Sequence, residues 1–241
     1  VASAALARRT LRTRALLLRR VAYRDSDLIV SLFTESAGKI SALARGARKS
    51  RRRFGGTLEP FYTLCVQLDE METRELLGLR EASIDLARRH LTKSLERMEA
   101  AGQALGWVRK AAPARTVEPE VWCVLTELLD RLDDPDDTTL PALHLAHCGL
   151  RLLVAFGWGI DFERCVVTGQ VCEPRRAAMV DPARGGLVSR AGGGGPIRLA
   201  AATRERLARA ARGPGPVLQQ ADAGVALELV DAVLRLHAGT D

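Results

Sequence analysis

Aromatic side chains are scarce in this sequence, at 4% of residues. A core must therefore be assembled from Leu, Val and Ala. No apolar run reaches the roughly eighteen residues that a membrane-crossing helix requires, and no long apolar stretch near the start marks a secretory signal. Cysteine is sparse and odd in number, at positions 65, 123, 148, 165 and 172. Such a set fits reduced thiols in a cytosolic protein better than a disulfide framework. No Ser/His/Asp or Cys/His arrangement stands out, so the expectation is a protein that is not an enzyme.

Acid is the most telling shortage. Residues 1–60 hold fourteen Arg/Lys against four acids, Asp25, Asp27, Glu35 and Glu59, although the whole chain is only +7. The excess positive charge is confined to the first quarter, and the remainder is slightly acidic. Localised charge of this kind points to nucleic acid or an anionic surface as partner. The opening segment, VASAALARRTLRTRALLLRR, is Arg-rich and free of acid, which is also the composition of an organellar transit peptide.

At 241 residues, 47% of them hydrophobic, the chain is long enough to bury a substantial core. Residues 1–13 read as a flexible arm. From Arg14 the texture is that of strands: RALLLRRVAY, LIVSLFT (28–34), KISALARG (39–46), LEPFYTLCVQL (58–68) and ELLGLREA (75–82). Ile40, Ala42 and Ala44 fall on one side of the third. Turn clusters separate the runs, and five short strands at this spacing predict a small closed barrel over 14–83. ESAGKIS (35–41) lacks the first glycine and the Ser/Thr after Lys39 that a phosphate-binding loop needs. It reads as a hairpin turn with Gly38 at positive φ.

The period becomes helical after Ser83, and residues 84–241 read as a helical domain. Helices are expected over 83–112, from Pro119 to Leu132, over 140–157 as the buried central helix, over 203–211 and over 223–239. Residues 158–202, rich in Gly, Pro and Arg, form an irregular insert with a short hairpin at AAMVDPARGGLVS. His144, His147 and Cys148 share a helix face, either as core packing or as metal ligands. The acidic run 133–137 reads as a solvated turn, with Thr139 as a helix cap.

Within ARGARKSRRRFGG (44–56), six cations occupy nine positions with no acid among them: Arg45, Arg48, Lys49, Arg51, Arg52 and Arg53. The run lies between the third and fourth expected strands, so it belongs to a loop on the barrel. Cations that follow phosphates, with rings that stack on bases, are how such barrels hold a single strand. Arg19, Arg20 and Lys39 are expected as neighbours of the run, Ser50 as a further phosphate contact, and Phe54 as a stacking ring or a residue packed beneath the loop. Six phosphate contacts on a single strand give a salt slope of about −4. An RNA-binding barrel module is the alternative from the same residues, and a metal-dependent nucleic-acid enzyme using His144 and His147 is a third reading.

The most specific stretches are Tyr23-Arg24-Asp25-Ser26-Asp27, Phe33-Thr34-Glu35 with Gly38-Lys39, Gly46-Ala47-Arg48 with Ser50, and Leu150–Gly157 leading to Cys165. In these, and across nearly its whole length, the sequence resembles the RecO family of bacterial DNA repair proteins. The resemblance implies an α+β architecture: an N-terminal five-stranded OB-fold barrel, then an α-helical domain with a zinc-ribbon-like insert. It implies a recombination mediator that binds single- and double-stranded DNA and anneals complementary strands without ATP. It further implies RecR and single-stranded DNA-binding protein (SSB) as partners, RecA loading as the downstream step, and the bacterial cytoplasm and nucleoid as location, which argues against a transit peptide. Family members often carry a ribbon of the form C-x2-C-G followed by C-x2-C. Here Cys165 matches the first position, but Thr168, Ser189 and Gly192 stand at the other three. The expectation is a degenerate ribbon without metal, and no cofactor.

Overall fold

The computed structural model describes residues 10–70, 76–213, 215 and 217–238. Of the arm expected over residues 1–13, residues 1–9 lie outside them. Two compact units divide the chain: residues up to Arg89 together with Ala112–Trp122, and His90–Ala111 together with Cys123 onward.

The first unit is built on β1 (Thr10–Tyr23), β2 (Asp27–Thr34), β3 (Gly38–Ala44), β4 (Thr63–Glu70) and β5 (Leu77–Leu86). They close into a barrel in the order β1-β2-β3-β5-β4. The β3–β5 pair is parallel and the other pairs are antiparallel. Closure removes the exposed edges that an open sheet would present. Alternation fills the interior: Val30 and Leu32 from β2, Ile40, Ala42 and Ala44 from β3, and Leu64, Val66 and Leu68 from β4 are all buried. β1 begins earlier than the flexible-arm expectation allowed. Thr10–Thr13 pair with Asp69–Val66 of β4 and are held there by the ladder.

A bulge at Leu18 shifts the β1–β2 register between Leu17 and Arg19. Before it, Ala15 and Leu17 point inward. After it, Arg20 is the residue opposite the fully buried Val30, so Arg19, Val21 and Tyr23 face outward. One extra residue thus reverses which side chains the end of β1 shows to solvent.

One part of the barrel's outer wall is covered by residues from further along the chain. Phe33 is fully buried and lies 6.1 Å from the ring of Trp122. The Arg115 N–H donates to the Lys39 carbonyl at 2.8 Å. Gly38 has φ +66, as the hairpin reading expected, and a Cβ there would lie 1.8 Å from the Thr116 carbonyl oxygen.

Ser83–Leu86 continue β5 rather than starting a helix, because Ser83, Ile84 and Leu86 pair with Cys65, Leu64 and Thr63. The ladder outweighs local helical periodicity there.

The second unit holds α2 (Leu95–Ala111), most of α3 (Pro119–Asp133), α4 (Pro141–Ala155), α5 (Ala201–Arg212) and α6 (Gln220–His237), whereas the short α1 (Arg51–Phe54) belongs to the barrel unit. α4 is central: Leu145, Cys148, Leu150, Leu152 and Leu153 are all buried. Gly149 lets the helices close in, since a Cβ would come within 2.9 Å of Val230. α4 starts at Pro141 with Leu140 before it, not with the expected Thr139 cap; the Thr139 N–H donates to Asp137 Oδ1 at 2.8 Å. His144 Nε2 lies 3.0 Å from the Asp137 carboxylate, and His147 Nε2 lies 2.8 Å from the Gly213 carbonyl oxygen. Burial pushes the His147 pKa down and raises the Cys148 thiol to about 12.

Between α4 and α5 lies a four-stranded sheet of β6 (Asp161–Cys165), β7 (Ala178–Asp181), β8 (Gly186–Leu187) and β9 (Ile197–Leu199), in the order β6-β8-β7-β9. The expected hairpin is β7–β8. Arg204 of α5, 4% exposed, fastens the sheet to the helices by donating to the carbonyls of Phe162, Cys172 and Glu173.

Candidate nucleic-acid interface

The basic run leaves the end of β3 as a turn and becomes a short helix, α1 (Arg51–Phe54). Ser50 caps that helix, its Oγ accepting from the Arg53 N–H at 3.2 Å. The turn is also fastened to the β1–β2 connection. The Gly46 N–H donates to Asp27 Oδ1 at 2.7 Å, and the Arg48 N–H donates to the Ser26 carbonyl at 3.0 Å. The Arg48 guanidinium reaches the Asp25 carbonyl at 3.4 Å, and that of Arg53 reaches the Arg45 carbonyl at 2.8 Å. Backbone and Asp27 contacts of this kind fix the loop without consuming its charge. Arg45, Arg48, Lys49, Arg52 and Arg53 are all exposed.

The expected residues do not all belong to this rim. Arg20 turns to the other wall, where it donates to the Leu58 carbonyl at 2.7 Å and pairs with Glu59 at 2.6 Å. Lys39 starts β3, and the basic turn follows the strand's far end, about 20 Å away at 3.3–3.4 Å per residue. It is therefore not a neighbour of Arg45. Arg19 is exposed on the outer face, in one row with Ser31 and Ser41. Phe54 is 4% exposed and lies in the barrel core with Leu58, so the expectation of a stacking ring at this position is corrected. A helical turn rotates its side chain beneath the loop, and Arg53 covers its ring at 5.2 Å.

Two residues outside the basic run belong to the same end of the barrel. Tyr23 ends β1 with 38% of its surface exposed. Arg24 follows at φ +51, and its guanidinium sits 5.1 Å from the Tyr23 ring centroid. The signal available in the sequence was their place immediately before the Asp25-Ser26-Asp27 turn that the basic loop grips.

The opposite wall of the barrel is charge-balanced. Arg12 pairs with Glu81, Arg14 with Glu35, and Arg80 with Asp69. Arg14 lowers the pKa of Glu35, and Glu35 raises that of Arg14. Basic residues are plentiful on both walls, but among the described residues Arg45, Arg48, Lys49, Arg52 and Arg53 form a group whose side chains pair with no described acid.

In the second unit a cavity of about 340 Å³ is lined by Arg131, Asp137, His144, His147, Arg151 and apolar side chains including Leu143. Two oppositely charged pairs face each other in it, Arg151 with Glu127 and His144 with Asp137, although His144 Nε2 makes no aligned hydrogen bond there. Among the described residues no group of three His, Cys, Asp or Glu side chains is placed to hold a metal.

The four ribbon positions do converge. Cys165 is fully buried and its sulfur accepts from the Ser189 N–H at 3.2 Å and the Thr168 N–H at 3.4 Å. A Cβ on Gly192 would lie 3.3 Å from that sulfur. Donation from Ser189 and then Thr168 brings the Cys165 pKa down to about 6. One thiol, two hydroxyl residues and a glycine are not a zinc donor set, which takes four Cys or His ligands. Backbone N–H groups surround the sulfur in its place.

A closed five-stranded barrel with a cationic rim, followed by a helical domain, defines the class: an OB-fold protein with a helical body. The particular family is given by sequence comparison. The family model described as "Recombination protein O N terminal" matches residues 8–86, and "Recombination protein O C terminal" matches residues 92–240. The chain belongs to the RecO family. Similar proteins named "DNA repair protein RecO" occur in Anaeromyxobacter sp. strain K, 42% identical over 48% of this chain and 46% of that protein, and in Geobacter sulfurreducens, 34% identical over 66% and 63%. A third, from Rubrobacter xylanophilus, is 31% identical over 66% and 62%. The matches to the Anaeromyxobacter relatives span about half of their length.

Proposed function

We propose that the protein is a recombination mediator that binds single- and double-stranded DNA and anneals complementary strands, acting with RecR on SSB-coated DNA to assist RecA loading. The observation that carries this is the clasped basic turn: five exposed cations held at one end of an OB-type barrel by backbone and Asp27 contacts that leave their charges available. Two DNA strands repel through their phosphates. A rim that neutralises part of each backbone lowers that repulsion and raises the local strand concentration. Base pairing completes the reaction, and no side chain performs covalent chemistry. RecR, SSB and RecA enter through the family alone. So does a place in the bacterial cytoplasm, at the nucleoid; no helix among the described residues is long and apolar enough to cross a membrane.

The test is annealing of complementary oligonucleotides coated with SSB, without nucleotide or metal, by wild type and by Arg48→Ala/Lys49→Ala/Arg52→Ala. Loss of three phosphate contacts should flatten the single-strand salt slope by about 2 and suppress annealing while the thermal melt is unchanged. A triple variant that binds and anneals like wild type would remove the rim from the mechanism. Preference for an RNA strand over DNA of the same sequence would favour the RNA-binding alternative.

A further inference from the structure

The outer face of β1, β2 and β3 forms three short cross-strand rows beside the basic turn. Strand register places Arg19, Ser31 and Ser41 in the first, and Val21, Ile29 and Leu43 in the second. Tyr23 and Asp27 begin the third, and Arg45 follows Ala44 at its far side. Val21 is 42% exposed and Tyr23 38%, while Ile29 and Leu43 are half-buried. The result is an apolar strip ending in an aromatic ring, bordered by Arg19 on one side and by Arg24 and Arg45 on the other.

The barrel exposes other aliphatic side chains, Ile84 and Leu86 of β5, but what sets this strip apart is its ring. Every other Phe, Tyr or Trp ring in the described residues is buried or half-buried, including Phe33, Phe54, Phe61 and Tyr62. Nothing in the barrel's own packing calls for an apolar strip with an exposed ring at its end. Arg24 lies over the ring yet stays exposed, and it stands in a left-handed backbone conformation that L-residues seldom adopt. Two acids lie in this area: Asp25 is exposed in the turn, and the Oδ1 of Asp27 accepts from the Gly46 N–H and the Ser26 hydroxyl.

We infer that Tyr23 is a base-stacking residue and that the Val21–Ile29–Leu43 strip seats the unpaired bases of a single strand whose phosphates lie on the basic turn. The inference rests on the DNA-binding reading of that turn and specifies the form of DNA it takes. In a duplex the bases are stacked on each other and offer no face to Tyr23, so a duplex gains only the phosphate contacts. A single strand gains both. When two strands anneal, the stacking contact is lost, so the site releases the paired product more readily than it releases either reactant.

The experiment compares Tyr23→Ala, Tyr23→Phe and the Arg48/Lys49/Arg52 triple variant for binding to a single-stranded oligonucleotide and to its duplex at one salt concentration. Tyr23→Ala should weaken single-strand binding on the order of tenfold and leave duplex binding within twofold. Tyr23→Phe should match wild type on both, because stacking needs the ring and not the hydroxyl. The triple variant should weaken both ligands. A 5-iodouracil-substituted strand should photocrosslink to the peptide containing Tyr23. If Tyr23→Ala lowers both affinities equally, or neither, stacking at Tyr23 is wrong even where the triple variant shows the rim to bind. If the triple variant loses nothing, the rim reading itself fails. The ring is exposed, so a thermal melt like wild type's is expected for each Tyr23 variant, and a crosslink that maps elsewhere would also overturn the assignment.

Discussion

The Asp27 carboxylate accepts the Gly46 N–H at 2.7 Å, so an acid holds in place the loop that carries the largest cluster of positive charge in the chain. Its effect on DNA binding should therefore be opposite in sign to its charge. Removing a carboxylate near phosphates would, by charge alone, raise affinity. Asp27→Ala should instead lower it, by roughly three- to tenfold, because the turn loses an anchoring bond worth about 1–2 kcal/mol. Asp27→Asn keeps an acceptor oxygen and should bind at least as well as wild type. Fluorescence anisotropy on a labelled oligonucleotide distinguishes the two, and equal gains for both variants would show that the bond does not organise the loop.

Gly38 sits at φ +66 against the backbone of Thr116. A side chain there meets a carbonyl, not a flexible group, and the hairpin cannot move away without breaking the Arg115–Lys39 bond. Gly38→Ala should destabilise the barrel by about 2–4 kcal/mol. The check is a urea melt followed by a probe in the barrel unit.

Cys165 should matter without a metal. Its sulfur satisfies the N–H groups of Ser189 and Thr168, and Cys165→Ala leaves both without a partner. The expected loss is about 1–2 kcal/mol. Elemental analysis of the purified protein should find well under one zinc per chain, and stoichiometric zinc would overturn this account of the sheet.

Asp222 is fully buried, caps α6 through the Gln219 N–H at 2.8 Å and pairs with Arg206 at 2.6 Å. Burial acts to raise its pKa, but the Arg206 and Gln219 bonds prevail and hold it below the ordinary aspartate value of 3.8. A depressed carboxylate pKa contributes stability that is present above the ordinary value and lost as pH falls through the folded one. Asp222→Asn should cost about 2–4 kcal/mol at neutral pH. It should also remove part of the acid-induced loss expected of wild type below pH 3.8. Thermal melts across an acid pH series measure both effects.

The barrel was legible because its strands alternate. Ile40, Ala42 and Ala44 face inward as their spacing requires, and the turn at Gly38 follows from its neighbours. The basic run was legible as charge, but its geometry was not. Lys39 is close to it in sequence, yet strand length carries it away, and Arg20, two strands earlier, is turned toward Glu59 after the bulge at Leu18. Phe54 looked exposed because its neighbours are polar, yet one turn of helix buries it. The same bulge turns Tyr23 to solvent. Helical periodicity after Ser83 was misleading for a different reason: pairing with β4 is a long-range contact that no local window contains.

The cover that Ala112–Trp122 lays over Phe33 has a kinetic consequence. The barrel's five strands are synthesised well before that segment leaves the ribosome, and until it arrives the buried wall around Phe33 is bare. A fragment ending at Arg89 would keep every strand and still be an unfinished fold, prone to stick to its own copies. In the nascent chain the barrel can be sealed only after α2 has been made.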